Sequence, residues 1–409
     1  MNALNISEEL NNRLKRKGLY DDRLNSLEKF QEENKKNFKH SLGVRTDLEF
    51  IDYDSATSEG KTTIKINGEL FNAHQEIKGI TIYKLNEFLH DGNIDPVYKE
   101  MMVKYLSNKF SEAVSGSKEK QYSKLEHLHL ALSNAMIFVL PDNYNSNKFF
   151  EIKRTVEGNS YNHIIVLTGD NCNSKIYLKT SHESNSNNIH SIITDYTDII
   201  LGKNSMMEFV EHRSLSNKDV VFGRKNSTLE SGAKLEWTNI DKDSRLSLIE
   251  QHSNAFGDNS KSTMNNIICG KNSEYCIYNI SEHTGANTES LMQNRSVLKK
   301  NKAIIKGLVK INKNAHSSNG YQKSDMLILD DESRGISIPD LEIHNHNVKC
   351  THGSTITKLD KEKIFYLESR GLEKKDAEQL IIEGFYDKAL NGISDESLRE
   401  SIKTEILED

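Results

Sequence analysis

The sequence predicts a mainly β protein, a parallel β-helix with a mainly helical (α/β) domain before it and a helical domain after it. Three observations carry this. From about Ile137 to Thr357 short β-prone runs replace helical periodicity, with turns rich in Gly, Asn, Ser and Lys and almost no proline. The turns repeat one another: Ile200-Leu201-Gly202-Lys203-Asn204-Ser205, Leu229-Glu230-Ser231-Gly232-Ala233, Ile268-Cys269-Gly270-Lys271-Asn272-Ser273 and Ile311-Asn312-Lys313-Asn314-Ala315. Each joins an apolar strand end to a residue tolerant of positive φ and then to a small residue opening the next strand. Finally, only 35% of the 409 residues are hydrophobic and 28% are charged, which suits an elongated solenoid with a thin core better than a compact globule. A β-sandwich also has many short strands; the recurring turn unit favours the solenoid.

The boundaries fall at 1–125, 126–357 and 358–409. In the first segment Ser7 caps a helix carrying Leu10 and Leu14, and Leu24, Leu27 and Phe30 continue the helical spacing. Thr63 to Ile66 alternate as a strand, and Asn67-Gly68 turns the chain into Glu69-Leu70-Phe71. Asp95 and Pro96 then open a helix whose apolar face is Met101, Tyr105, Leu106 and Phe110. In the last segment Phe365, Leu367, Leu372, Ala377, Leu380, Ile381 and Phe385 are spaced for short helices broken at Gly371 and Gly384. Ser394 reads as the cap of a final helix with Leu398, Ile402 and Ile406 on one stripe. So short a helix must dock, on its own chain or on a partner.

The charge of −6 argues against nucleic acid as a partner, and no stretch is long and apolar enough for a membrane helix. The start of the chain lacks the apolar centre of a signal peptide. The four cysteines, Cys172, Cys269, Cys276 and Cys350, show no paired spacing and read as reduced thiols of a cytoplasmic protein. Acidic residues, scattered along the chain, read as solvated surface. Gly60-Lys61-Thr62 resembles part of a phosphate loop, but Ser55 stands where its first glycine belongs, and a strand rather than a helix follows.

The densest set of candidate ligands runs from His344 to His352. Cys350 and His352, two apart on a strand, leave it on the same face and are soft enough for iron or zinc. His344 and His346 are weaker candidates. The spacing matches no closed zinc module, so further ligands or a second subunit must complete a shell.

Val348-Lys349-Cys350-Thr351-His352-Gly353-Ser354-Thr355, with Leu359-Asp360 and Phe365-Tyr366-Leu367-Glu368-Ser369-Arg370-Gly371, resembles the C-terminal signature of the SufB/SufD family of iron–sulfur cluster assembly scaffolds. Gly307-Leu308-Val309-Lys310-Ile311, Gln322-Lys323-Ser324, Met326-Leu327-Ile328-Leu329, Ile338-Pro339-Asp340-Leu341-Glu342-Ile343, Asp376-Ala377 and Glu383-Gly384-Phe385 extend the likeness over about Ser191 to Leu390. The resemblance implies a right-handed β-helix whose last strands pair with a second SufB/SufD-type subunit or with a second copy. It also implies a helical tail that binds a SufC-type ATPase, with Phe365, Tyr366, Arg370, Leu380 and Phe385 as the docking positions. Cys350 and His352 would then hold a transient iron–sulfur cluster or iron, and ATP would bind the partner rather than this chain, which is itself no enzyme. Cys350-Thr351-His352-Gly353 follows the SufD pattern, and the scaffold cysteine typical of SufB falls near Ser333. A zinc-binding structural solenoid and a β-helix enzyme acting on carbohydrate are the alternatives.

Overall fold

Strands and turns alternate in the computed structural model as the repeated turn units require. It describes residues 20–32, 60–71, 74–92, 124–182 and 191–408, with the separate positions 15, 37–39, 45–47 and 94. The expected caps and helices at Ser7, Leu10 and Leu14, and from Asp95 to Phe110, lie outside these residues.

Two ten-stranded sheets face each other. Sheet I ends in the strands Asn319–Ile328 and Lys349–Lys358, and sheet II in Lys302–Ile311 and Arg334–Ile343. Consecutive strands of the solenoid alternate between the sheets and run parallel to their neighbours, so the central body is a parallel β-helix. Starts at Met206, Lys234, Lys261, Glu289, Asn319 and Lys349 show a coil repeating every 27 to 30 residues. The turns use the residues expected of them: Asn204, Gly232, Gly270 and Asn272 all have positive φ. In the fourth unit the positive φ falls later, at Ser317.

At the N-terminal end, Lys61–Ile66 and Ile80–Lys84 join sheets I and II antiparallel, and Asn67 and Gly68 make the expected hairpin turn. Helix α1 (Tyr20–Glu32) precedes them, α2 (Leu85–His90) follows, and α3 (Lys124–Leu132) leads into the solenoid. Leu27 and Phe30 of α1 pack with Leu125 and Leu128 of α3 over Tyr161, Tyr196 and Phe222 of sheet II. The buried Arg23 guanidinium donates to the carbonyls of Leu130 and Ala131, which the end of α3 leaves without helical partners. Among the described residues this N-terminal region is as much antiparallel strand as helix, because its strands continue both sheets.

Three helices close the chain: α4 (Lys361–Ser369), α5 (Lys374–Leu390) and α6 (Glu396–Leu407). The break at Gly371 is present, with φ +95. The one expected at Gly384 is not; α5 runs through it, since a single interior glycine costs only about 1 kcal/mol and packing on both sides outweighs that. Asp395, not Ser394, caps α6, its carboxylate accepting from the backbone N–H of Leu398. Tyr386, Leu390, Ile393, Ile402 and Ile406 bury themselves against Val210, Ile240, Ile267 and Val297 on the outer face of sheet I. Lys179 Nζ bonds the Glu405 carboxylate at 2.6 Å, and Lys242 Nζ donates to the Glu405 carbonyl at 2.6 Å. The final helix therefore docks on its own chain.

The interior departs from a plain apolar core. Alternate residues of each strand point inward, and the one-to-one register stacks them in columns about 4.8 Å per step. One sheet I column runs Glu211, Asn239, Asn266, Asn294 and Ser324. Its amides link coil to coil: Asn239 Nδ2 donates to Asn266 Oδ1 at 2.9 Å, and Asn266 Nδ2 to Asn294 Oδ1 at 3.1 Å. At its N-terminal end the column meets the buried charges Arg154, Asp195, Glu211, Arg213, Lys225 and Asp241. The reading of acidic residues as solvated surface fails here. These carboxylates sit in strands, not turns, and each is buried with a cation beside it.

Candidate functional site

Both sheets stop abruptly at the C-terminal end of the solenoid. Among the described residues, Arg334–Ile343 pairs only with Lys302–Ile311, and Lys349–Lys358 only with Asn319–Ile328. Each therefore leaves a ten-residue edge, and among the described residues no further coil covers the interior. Leu341, Ile343 and Ile356 occupy inward-facing register positions yet are 36%, 43% and 45% exposed. An uncapped solenoid end of this kind is unstable toward pairing with another chain.

Cys350 and His352 lie at this mouth. Register places Cys350 above Gly320 and Ser290, and His352 above Gln322 and Met292. Both are thus on the inner face of the last strand, as the two-residue spacing predicts. Cys350 is half-buried and packs, with Val348, on Met264, Met292, Val309 and Ile311. Burial pushes its thiol up to about 11, so a metal would have to displace the proton to gain the thiolate. His352 is exposed. Directly beneath it, Gln322 is buried and its Nε2 donates to the Asp340 carbonyl at 2.9 Å, tying the two sheets together under the site.

His344 and His346 do not join this pair as neighbours. The His344 ring bonds the Glu342 carboxylate at 2.8 Å at the end of Arg334–Ile343, and His346 is exposed in the turn. Asn345 between them is buried and holds the turn by donating to the Lys313 carbonyl. Among the described residues no three His, Cys, Asp or Glu side chains gather closely enough to hold a metal ion. What the chain presents is one cysteine and one histidine on the inner face of the last strand, open on the side where the sheets end. Ser333 stands away from it in a turn, its hydroxyl bonded to Asp330. Cys172, Cys269 and Cys276 are buried elsewhere.

The five tail positions separate into two groups. Phe365, Tyr366 and Leu380 are 72%, 57% and 49% exposed, and the Arg370 guanidinium stacks 5.2 Å from the Tyr366 ring centre. Phe385 is instead held by its own chain: Arg295 lies 5.1 Å above its ring and donates to its carbonyl. A residue pattern alone cannot separate these groups, because α5 has apolar residues on two faces. Lys61 and Thr62, from the phosphate-loop lookalike, begin a strand antiparallel to Asn145–Glu157.

The buried charge cluster was missed in the sequence. The signal it leaves is Glu211-His212-Arg213, three charged or polar residues in a run whose neighbours are strand-forming.

Comparison with known proteins gives a consistent result. A family model described as the SufBD core domain of SUF-system FeS cluster assembly matches residues 150–385. The iron–sulfur cluster assembly protein SufD of Bacillus subtilis is 24% identical over 286 residues, covering 68% of this chain and 65% of that protein. Iron–sulfur cluster assembly SufBD family proteins of Staphylococcus haemolyticus and Staphylococcus epidermidis are each 26% identical over 249 residues, covering 59% of this chain and 50% of theirs. The chain thus spans between half and about two-thirds of the length of these curated relatives.

Proposed function

This chain belongs to the SufBD family of iron–sulfur cluster assembly proteins, and from that premise we propose that it serves as a scaffold or accessory subunit of a SUF assembly complex. The carrying observation is the uncapped mouth, where Cys350 and His352 face inward beside two open sheet edges. A second SufB/SufD-type subunit, or a second copy, pairs with those edges and supplies the ligands this chain lacks. The cluster is cargo, assembled and passed on. The chain itself is no enzyme; ATP hydrolysis belongs to a SufC-type ATPase docked on the tail. The work is done in the cytoplasm, in keeping with four cysteines that form no disulfide, and among the described residues no helix is long and apolar enough to cross a membrane.

Anaerobic reconstitution with iron and sulfide tests the cargo reading. Cys350→Ser and His352→Ala are each expected to lower bound iron and sulfide severalfold with an unchanged circular dichroism spectrum, since both residues sit at an exposed end. Unchanged iron and sulfide in both variants would sink it.

Docking is best tested on side chains rather than by truncation, because removing residues 359–409 would strip the cover from Val210, Ile240 and Ile267. Phe365→Ala, Tyr366→Ala and Leu380→Ala together are expected to abolish co-purification of the ATPase, aromatic anchors being the usual energetic centre of an interface. Their exposure leaves the fold intact. Undiminished co-purification would place the ATPase elsewhere.

A further inference from the structure

Beneath the docking helices lies a cavity that neither the cluster site nor the subunit edges use. It measures about 310 Å³ and opens between the turns of sheet I and helices α5 and α6. That volume is at the lower end of the range for small-molecule sites, roughly 300–1,000 Å³. Its walls are mainly apolar, from Val297 and Leu329 on the solenoid to Ile382, Tyr386, Ile406 and Leu407 on the helices.

The polar groups around this apolar chamber are biased in sign. Lys271, Lys299, Lys300 and Lys375 line it, against Asp330 and Glu378. Asp330 is already committed: its carboxylate accepts from the backbone N–H groups of Lys300, Glu332 and Ser333 and from the Ser333 hydroxyl. Those bonds hold it ionised, its pKa lowered from the usual carboxylate value although burial opposes the shift. Glu378 stands 3.9 Å from Lys374, a lysine outside the cavity. Lys271 and Lys299 are backbone bridge partners in adjacent coils, with Lys300 next in the chain. Lys300 has the Glu332 carboxylate 3.7 Å away, on the solvent side.

We propose that this cavity binds a small amphipathic anion, a carboxylate on a short aliphatic chain, with its tail among Val297, Leu329, Ile382 and Ile406 and its head at Lys299 and Lys375. Apolar walls favour the chain, and the lysine surplus selects the charged head over a neutral one. Because α5 and α6 form one side of the cavity, the ligand would lie directly behind the proposed ATPase-docking face.

Decanoate serves as the probe and decanol as its neutral counterpart, both titrated calorimetrically into the full chain. Decanoate is expected to bind at least tenfold more tightly than decanol at low salt, with the preference shrinking as salt rises. Ile382→Trp fills the chamber and should weaken decanoate at least tenfold. Lys299→Glu with Lys375→Glu should abolish the preference for the acid while leaving decanol unchanged. The chain has one tryptophan, Trp237, which is fully buried elsewhere, so emission from the introduced indole reports separately whether the chamber is filled in a folded protein. Equal binding of acid and alcohol, or decanoate binding that ignores both variants, would overturn the assignment. So would a chamber that takes no decanoate while Ile382→Trp weakens co-purification of the ATPase, since the occupant would then be a partner side chain.

Discussion

Arg213→Ala is expected to destabilise the protein by about 3–5 kcal/mol, the cost of leaving buried charges without their partner. Arg213 is fully buried and its Nε donates to Asp241 at 2.6 Å, while one terminal nitrogen lies 3.1 Å from Glu211 and 3.5 Å from Asp195. Arg154, Arg213 and Lys225 balance Asp195, Glu211 and Asp241, three cations against three anions. Removing one cation leaves a net negative charge inside the solenoid. For comparison, Lys261→Ala removes an exposed partner of Glu289 and should cost less than about 1 kcal/mol. Urea unfolding at neutral pH measures both, and a loss under about 1 kcal/mol for Arg213→Ala would mean that the cluster is solvated.

The pH dependence follows from the same pairs. Burial alone would raise the pKa of Asp195 and of Asp241. The neighbouring cations outweigh it, led by Arg154 and Arg213 at Asp195 and by Arg213 and Lys225 at Asp241, and both are lowered. A carboxylate depressed in the folded state contributes stability above its unfolded pKa, about 3.9, and loses it as pH falls through the folded value. The advantage of the native protein over Arg213→Ala should therefore be greatest near neutrality and narrow on acidification.

The solenoid was legible because its turns are local. Asn204, Gly232 and Gly270 each announce a left-handed position within a few residues, and the same positions recur coil after coil. The shared face of Cys350 and His352 was legible for the same reason, alternation along a single strand. What the sequence hid depends on contacts far apart in the chain. Asp195 is neutralised by Arg154 and Arg213, residues on two other strands, and alternation gives no sign that the three meet. Phe385 looks like Phe365 in a helical pattern, and only Arg295, ninety positions away, decides that one is held and the other exposed. Gly384 read as a break because local propensity was weighed without the sheet on which α5 packs.

The solenoid mouth leads to the second large effect. Ile343→Lys combined with Ile356→Lys is expected to abolish the proposed pairing with a second subunit while the single chain stays folded. Both side chains face the uncapped interior and are 43% and 45% exposed, so in the isolated chain the lysine heads reach water and stability changes little. In a paired assembly the same ammonium groups would be enclosed where the sheets continue across the junction. Burying an unpaired charge at an interface costs about 2–5 kcal/mol, which weakens association by roughly 100-fold or more for the pair of substitutions. Lysine on an open strand edge is also a common device by which proteins prevent such pairing. Sedimentation of the native and variant chains, alone and with the neighbouring subunit, reads the result directly. Persistence of the paired species at unchanged concentration would show that the edges are not the junction. The variant also separates the two parts of the cluster proposal, because Cys350 and His352 remain in place. If iron and sulfide still load onto the unpaired variant, the ligands come from one chain; if loading disappears with pairing, the shell is completed across the junction.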